Sequence, residues 1–304
     1  MKKFFTALLA ALSGYVFAGE APLKVLMIGN SFAWSCRIYL RDVAASANCK
    51  LDLEIASIGG CSLERHIEEY AKSAQNADHR PYRCLGTRNA SLQELLAKKK
   101  WDIITIQQAS HLSWRADSYQ PWADQLIAII KKTNPQAEIV IQETWSYNGG
   151  DPRFANLNEV WSVDQTSMFE ALDKNYRKLA KDNNFRIVPV GVAIQLSRVQ
   201  KPVQLPVCNE KFLAGISSSN NLPETTDVVG KCVWEKRTDG TTGAHADTIH
   251  LNRYGEYLQA CVWFGFLFQK PVSEITLYPP ELDRQRVEKL RGFAQQALDM
   301  EKSK

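Results

Sequence analysis

The chain has 304 residues, with 37 lysines and arginines against 33 aspartates and glutamates, a formal charge of +4. Apolar side chains make up 45% and no tract is of low complexity, which excludes disorder over most of the length and allows a sizeable core. So small an excess of positive charge, about +2 once Lys2 and Lys3 are discounted, excludes a strongly basic nucleic-acid face and a polybasic membrane patch.

Residues 1–18 read as an export signal. Lys2 and Lys3 form its basic start, Phe4 to Leu12 its apolar core, and Val16-Phe17-Ala18 a cleavage point after Ala18. Ser13 and Gly14 interrupt the apolar run well short of the ~20 residues that span a bilayer, and no later segment is long and apolar enough. The expectation is an exported protein, periplasmic or extracellular in a bacterium, whose residues 19–304 form one domain with no membrane span. Seven cysteines in such a compartment suggest bridges. Cys208–Cys232 is the favoured pair and Cys61–Cys84 the second.

In chain order, residues 23–28 are a near-continuous apolar run ending at Gly29-Asn30, as a buried parallel strand does. A helix follows over 37–47, a strand over 51–57 and a helix over 62–73 with Ser62 as its cap type. Residues 91–99 read as helix, 102–107 as strand, 122–132 as helix and 138–142 as strand. A long helix over 165–182 leads to a fifth strand over 185–190, and helices over 253–268 and 282–300 close the chain. Strands separated by helices need right-handed crossovers and a mostly parallel sheet covered on both faces, an α/β three-layer sandwich with five strands. Ligands gather at the carboxyl ends of such strands, where Ser31, Gly60, Gln108 and Trp145 fall. Residues 76–90 are loop-like. Residues 196–246 are rich in Ser, Asn, Thr, Gly and Pro and read as an insertion over the site, with short strands of its own or as a surface excursion.

Ser31, after a buried strand and before a helix, is placed either to cap that helix or to present its hydroxyl for attack. Asp247 precedes His250 by three residues on a predicted turn entering a helix. There it either caps the surface or holds the imidazole in the tautomer a general base needs. A different class of reading takes His245, Asp247 and His250 as metal ligands. Trp145, Tyr147, Trp114 and Trp161 lie in loops where they either pack or offer flat faces to a sugar. Arg115 and Arg153 either meet an anionic group or remain solvated, and Cys61 is a less favoured nucleophile.

Gly29-Asn30-Ser31-Phe32, Gly59-Gly60 after the second strand, and Asp247-x-x-His250 followed by Leu251-Asn252 and Gly255 resemble the SGNH/GDSL hydrolase superfamily. The likeness runs from about Lys24 to Pro271 and is greatest to a bacterial branch whose first block reads GNSF. It implies an SGNH/flavodoxin-like fold and a secreted serine esterase, a carbohydrate O-acetylesterase among the options, acting on a small or glycan ester with no cofactor. Ser31 would be the nucleophile, His250 the base and Asp247 its orienter, with backbone N–H groups of Ser31 and Gly60 in the oxyanion hole. The family's third donor is an asparagine that this chain lacks. Gln108 is the first replacement, with Gln107 and His111 as alternates. That departure keeps open a non-catalytic glycan-binding or assembly protein on the same scaffold. Oligomeric state is not specified by any of these features.

Overall fold

The computed structural model describes residues 21–86, 88–155, 157–158, 160–199, 213–222, 227–236 and 240–304. The expected export signal and Cys208 lie outside them. Strands β1 (Leu23–Gly29), β2 (Leu51–Ser57), β3 (Ile103–Ile106), β4 (Glu138–Gln142) and β5 (Arg186–Val188) form one parallel sheet in the order β2-β1-β3-β4-β5. Every residue of β3, and every residue of β1 except Lys24, is buried. That burial on both faces is why these segments read as unbroken apolar runs. The chain leaves β1 toward β2 on one side and then crosses to β3 on the other. The carboxyl ends of β1 and β3 therefore flank a crevice that no crossover covers.

The helices whose bounds lie wholly among the described residues are α1 (Ser31–Trp34), α2 (Leu40–Ser46), α3 (Leu63–Gln75), α4 (Leu92–Ala97), α5 (Trp122–Thr133), α6 (Pro152–Ala155), α7 (Gln165–Asn183), α8 (Val190–Val199), α9 (Arg253–Phe268) and α10 (Arg284–Lys302). Side-chain caps start several of them: Ser62 accepts from the Arg65 N–H, and Ser91 and Glu94 form a reciprocal capping box. Helix α9 is buried almost all round and packs against α2, α8 and α10. No helix of the described residues is long and apolar enough to cross a membrane.

Three expectations need correction. Helical structure begins at Ser31 and not at Arg37: α1 and a 3-10 turn (Ser35–Arg37) precede α2. The fifth strand stops at Val188, because α8 starts at Val190 and runs into the stretch expected to be insertion. The start of α8 is pressed onto the loop after β4, so a Cβ on Gly191 would lie 2.2 Å from the Thr144 carbonyl oxygen. Finally, the Cys61–Cys84 bridge is not formed: Cys61 carries a thiol, 3.5 Å from His66 Nδ1.

The expected insertion does hold strands. β6 (Val229–Lys236) and β7 (Thr242–Leu251) pair antiparallel as a separate two-stranded sheet.

Glu143, just past β4, is fully buried; its Oε2 accepts the Val192 N–H at 3.0 Å. Burial and the facing Asp173 carboxyl push its pKa well up, with Arg177 opposing in part. The folded state thus keeps a proton that the unfolded chain releases above about pH 4.3, and stability falls as pH rises past that value. Glu143→Gln preserves the acceptor for Val192. It is expected to raise the Tm near pH ~8, with the gain shrinking toward pH ~4, as thermal unfolding at both pH values will show.

Candidate active site

The turn that bears Ser31 is built by Asn30. β1 ends at Gly29, where a Cβ would sit 2.9 Å from the Gln107 side chain and 3.0 Å from the Ala33 Cβ, so a larger residue would push the turn's neighbours apart. Asn30, itself buried, then takes three bonds. Its Oδ1 accepts the Phe32 N–H at 3.0 Å and the Gln107 amide at 2.9 Å, and its Nδ2 donates to the Cys61 carbonyl at 3.1 Å. One side chain thereby ties the turn bearing Ser31 to the Gly59-Gly60-Cys61 turn after β2. Ser31 itself is half-buried.

Asp247 and His250 lie on β7 and not, as expected, on a turn into a helix. Residues three apart on a regular strand face opposite ways, so a flat β7 could not bring them together. The register solves this. Val229 pairs with Leu251 and Lys231 with Asp247, so Gly230 alone faces Thr248, Ile249 and His250. In that bulge Asp247 Oδ1 accepts the N–H groups of Ile249 and His250, each at 3.0 Å, and Oδ2 takes His250 Nδ1–H at 2.9 Å. Gly230 has φ +98°, and a Cβ there would meet the Asp247 carbonyl at 3.3 Å. His250 Nε2 in turn accepts the Ser31 hydroxyl at 2.9 Å.

Burial alone would raise the Asp247 carboxyl. Hydrogen bonds from the His250 ring and from the His250 and Ile249 N–H groups outweigh it and hold the pKa well below the usual carboxylate range. An ionised Asp247 can only accept, which sets the proton on Nδ1 and leaves Nε2 free to receive one. Lys231 Nζ stands 4.0 Å away on the neighbouring strand.

Residues that sequence reading missed as site builders brace this assembly. Trp145 stacks on Phe32 with centroids 3.9 Å apart and rings within 4° of parallel, and Phe32 meets the His250 ring edge-on. The Trp145 indole N–H also donates to the Ile249 carbonyl at 3.0 Å. The Asn148 N–H donates to the Thr248 carbonyl at 2.9 Å, and the Thr248 hydroxyl to Asp151 Oδ2 at 2.6 Å. Arg198, from α8, donates to the Ser146 and Tyr147 carbonyls and pairs with Asp227 at the foot of β6. Asn252 caps α9 and donates to the Asp227 and Gly230 carbonyls. Trp145, just past β4, is the signal the sequence offers for this brace; Asn148, Asp151 and Arg198 carry none.

The other expected site residues fall as follows. Gly60, exposed and at φ +60°, carries an N–H with no acceptor among the described residues. Gln108 is not placed as an oxyanion donor. Its Oε1 accepts the Leu63 and Ala109 N–H groups, and its amide nitrogen donates to the Ser118 carbonyl and hydroxyl. Gln107 is engaged on Asn30, and its buried Oε1 has no partner. His111 is exposed, with its pKa lowered by desolvation and by Arg153.

Trp145 and Tyr147 are each only 1% exposed, so neither offers a face to a sugar. Tyr147 donates or accepts at Ser110 Oγ, 2.9 Å, and stacks on Trp161. Trp114 packs edge-on against Trp161. Arg153 lies over the Tyr147 and Trp161 rings and is clamped through Nε and Nη2 by buried Asp151, while Arg115 pairs with Asp117 at the surface.

Cys61 is no nucleophile. Burial pushes its thiol up to about 12, and burial lowers His66 beside it to about 3, so both are neutral. His245 is exposed and pairs across the hairpin with Val233. Among the described residues no group of three His, Cys, Asp or Glu is disposed to hold a metal ion.

A serine hydroxyl on a neutral imidazole, itself backed by a carboxylate, can lose its proton as it attacks a carbonyl carbon. Gln108 serves this site as a brace: Gln108→Ala leaves the Leu63 and Ala109 N–H groups unpaired. A loss of about 1–3 kcal/mol is expected in urea unfolding.

None of the curated proteins compared with the chain matches it. Among solved structures it is similar to a DUF4886 family protein from Bacteroides uniformis ATCC 8492, at 26% identity and a TM-score of 0.68, covering 91% of this chain and 95% of that one. It is also similar to a protein provisionally assigned as an SGNH hydrolase from Slackia heliotrinireducens (19% identity, 80% of this chain, 98% of that one, TM-score 0.49). A third likeness is to the acetyl xylan esterase AlAXEase (15% identity, 80% of this chain, 99% of that one, TM-score 0.46). The family model for DUF4886, a domain of unknown function, matches residues 24–211, well over half of the chain, and the chain therefore belongs to the DUF4886 family.

Proposed function

We propose that this protein is an exported serine esterase that hydrolyses carboxylic esters through an acyl-enzyme, with carbohydrate O-acetyl groups as its substrates. The observation that carries the reading is the unbroken relay from Ser31 Oγ to His250 Nε2 and from His250 Nδ1 to Asp247, 2.9 Å at each step. Ser31 Oγ adds to the ester carbonyl carbon while its proton passes to Nε2, and Asp247 stabilises the imidazolium. The imidazolium then protonates the departing alcohol oxygen as the carbon–oxygen bond breaks, leaving Ser31 acylated. Water, losing its proton to Nε2, attacks the acyl-serine, and the acid leaves with Ser31 restored.

The Ser31 and Gly60 N–H groups are the proposed oxyanion donors, and Asn30 sets their spacing by joining the two turns. The carbohydrate part rests on the export signal and on the SGNH resemblance. The aromatic loops no longer contribute to it, since Trp145 and Tyr147 are buried.

Acetate release from acetylated polysaccharides, together with turnover of p-nitrophenyl acetate, tests the reading against Ser31→Ala. A fall of about 10⁴-fold or more is expected in the variant. The engagement of both glutamines elsewhere favours a second reading, a glycan-binding protein without catalysis. Wild type and Ser31→Ala equally inert on every ester would support that one.

Trp145→Phe keeps an aromatic ring against Phe32, removes the N–H that holds Ile249 and leaves a small cavity where the larger indole packed. It is expected to lower kcat about ten- to a hundredfold with KM nearly unchanged, because what is lost is the aim of His250. Steady-state kinetics on p-nitrophenyl acetate will separate the two parameters.

A further inference from the structure

Trp34 lies one helical turn beyond Ser31, with its N–H bonded to the Asn30 carbonyl at 2.9 Å. Side chains three apart on a helix are neighbours, about 5–6 Å between Cβ atoms. Two guanidinium groups converge on its ring. The Arg83 carbon stands 4.3 Å from the ring centroid, and that of Arg37 stands 5.6 Å away. They come from different parts of the chain. Arg37 closes the turn after α1, while Arg83 exchanges backbone hydrogen bonds with Ser57, the last residue of β2 and the register partner of Gly29. Both sit at the carboxyl edge of the sheet, the edge that also carries Ser31.

Both arginines are exposed, and neither is in an ion pair among the described residues. Glu256 is the carboxylate whose charge Arg37 feels, and it is already bound by Arg253 at 3.0 Å. This contrasts with Arg153, whose charge Asp151 neutralises. Stacking on an indole holds a guanidinium plane in place while leaving its N–H edge open. That edge matches two oxygens of a carboxylate, sulfate or phosphate.

We propose that Arg37 and Arg83, held on Trp34, form an anion subsite beside Ser31, and that the ester substrates carry an acidic group next to the scissile bond. This deepens the esterase reading and rests on it.

The test compares 4-acetoxybenzoate with its neutral methyl ester, and adds 4-acetoxyphenyl phosphate to separate carboxylate from phosphate recognition. The readout is the ratio of kcat/KM for the anionic over the neutral ester. Arg37→Gln/Arg83→Gln is expected to lower that ratio about tenfold or more, through KM, with Arg83→Lys intermediate because it keeps charge without the fork. Arg284→Gln, on the Tyr278 ring far along the chain, should leave the ratio as it is. A ratio unchanged in the double variant overturns the subsite.

Calorimetric titration of Ser31→Ala with the acid and its methyl ester keeps the two ideas apart. Tighter binding of the acid, lost in the Arg37→Gln/Arg83→Gln background, supports the subsite even if wild type hydrolyses nothing. Equal binding of acid and methyl ester overturns it, whatever the turnover.

Discussion

The site depends on a bulge in a two-stranded sheet. Asp247 and His250 would face away from each other on a regular strand. One residue of β6 opposing three of β7 turns both toward Ser31, and Asp247 stabilises the distortion by accepting the two backbone N–H groups that the bulge frees from the ladder. The carboxylate that orients the imidazole therefore also shapes the backbone that carries it. Gly230 makes the arrangement possible, since its left-handed conformation and the close Asp247 carbonyl both disfavour a side chain there.

A hairpin outside the main sheet is a poor platform for chemistry unless it is held, and here it is held from two strands at once. The loop after β4 grips it through Trp145, Asn148 and Asp151, which bond Ile249, Thr248 and Thr248 in turn. Trp145 also stacks on Phe32, the residue after Ser31. Displacement of the β4 loop would then move His250 and Ser31 together. Arg198 extends the brace to α8 and Asp227, and Asn252 locks the end of β7 to the start of α9. Precise placement of this kind is what converts a bound ester into a reacting one.

Much of this was legible in the sequence. All five strands, the parallel three-layer arrangement and the edge that carries the site followed from apolar runs and their spacing. Ser31, Asp247 and His250 came from the order and context of three short blocks. What stayed hidden depended on contacts between segments distant in sequence. The bulge that lets residues three apart cooperate leaves no periodic mark, so β7 read as a turn. Gln108 looked like a donor by position, but which amide reaches which carbonyl is decided by where the 112–118 loop returns. For Trp145 and Tyr147 the sequence leaves packing and an open face as alternatives, and packing is what occurs: Ile249 of the hairpin bonds Trp145, and Phe154 and Trp161 lie against Tyr147. Helix α8 escapes the sequence reading because Val190 reads as the end of a strand and residues 196–199 as the start of the polar stretch. Cys208, one half of the favoured Cys208–Cys232 pair, and the export signal lie outside the described residues.

The central claim is that Ser31 is activated by His250. Reaction with a fluorophosphonate probe, followed by peptide mass spectrometry, tests it most directly, because such probes bond only to a serine whose proton a neighbour removes. The account predicts one adduct per chain, on Ser31, present in wild type and lost in His250→Ala. An adduct on another residue, or none on folded wild-type protein, would contradict it.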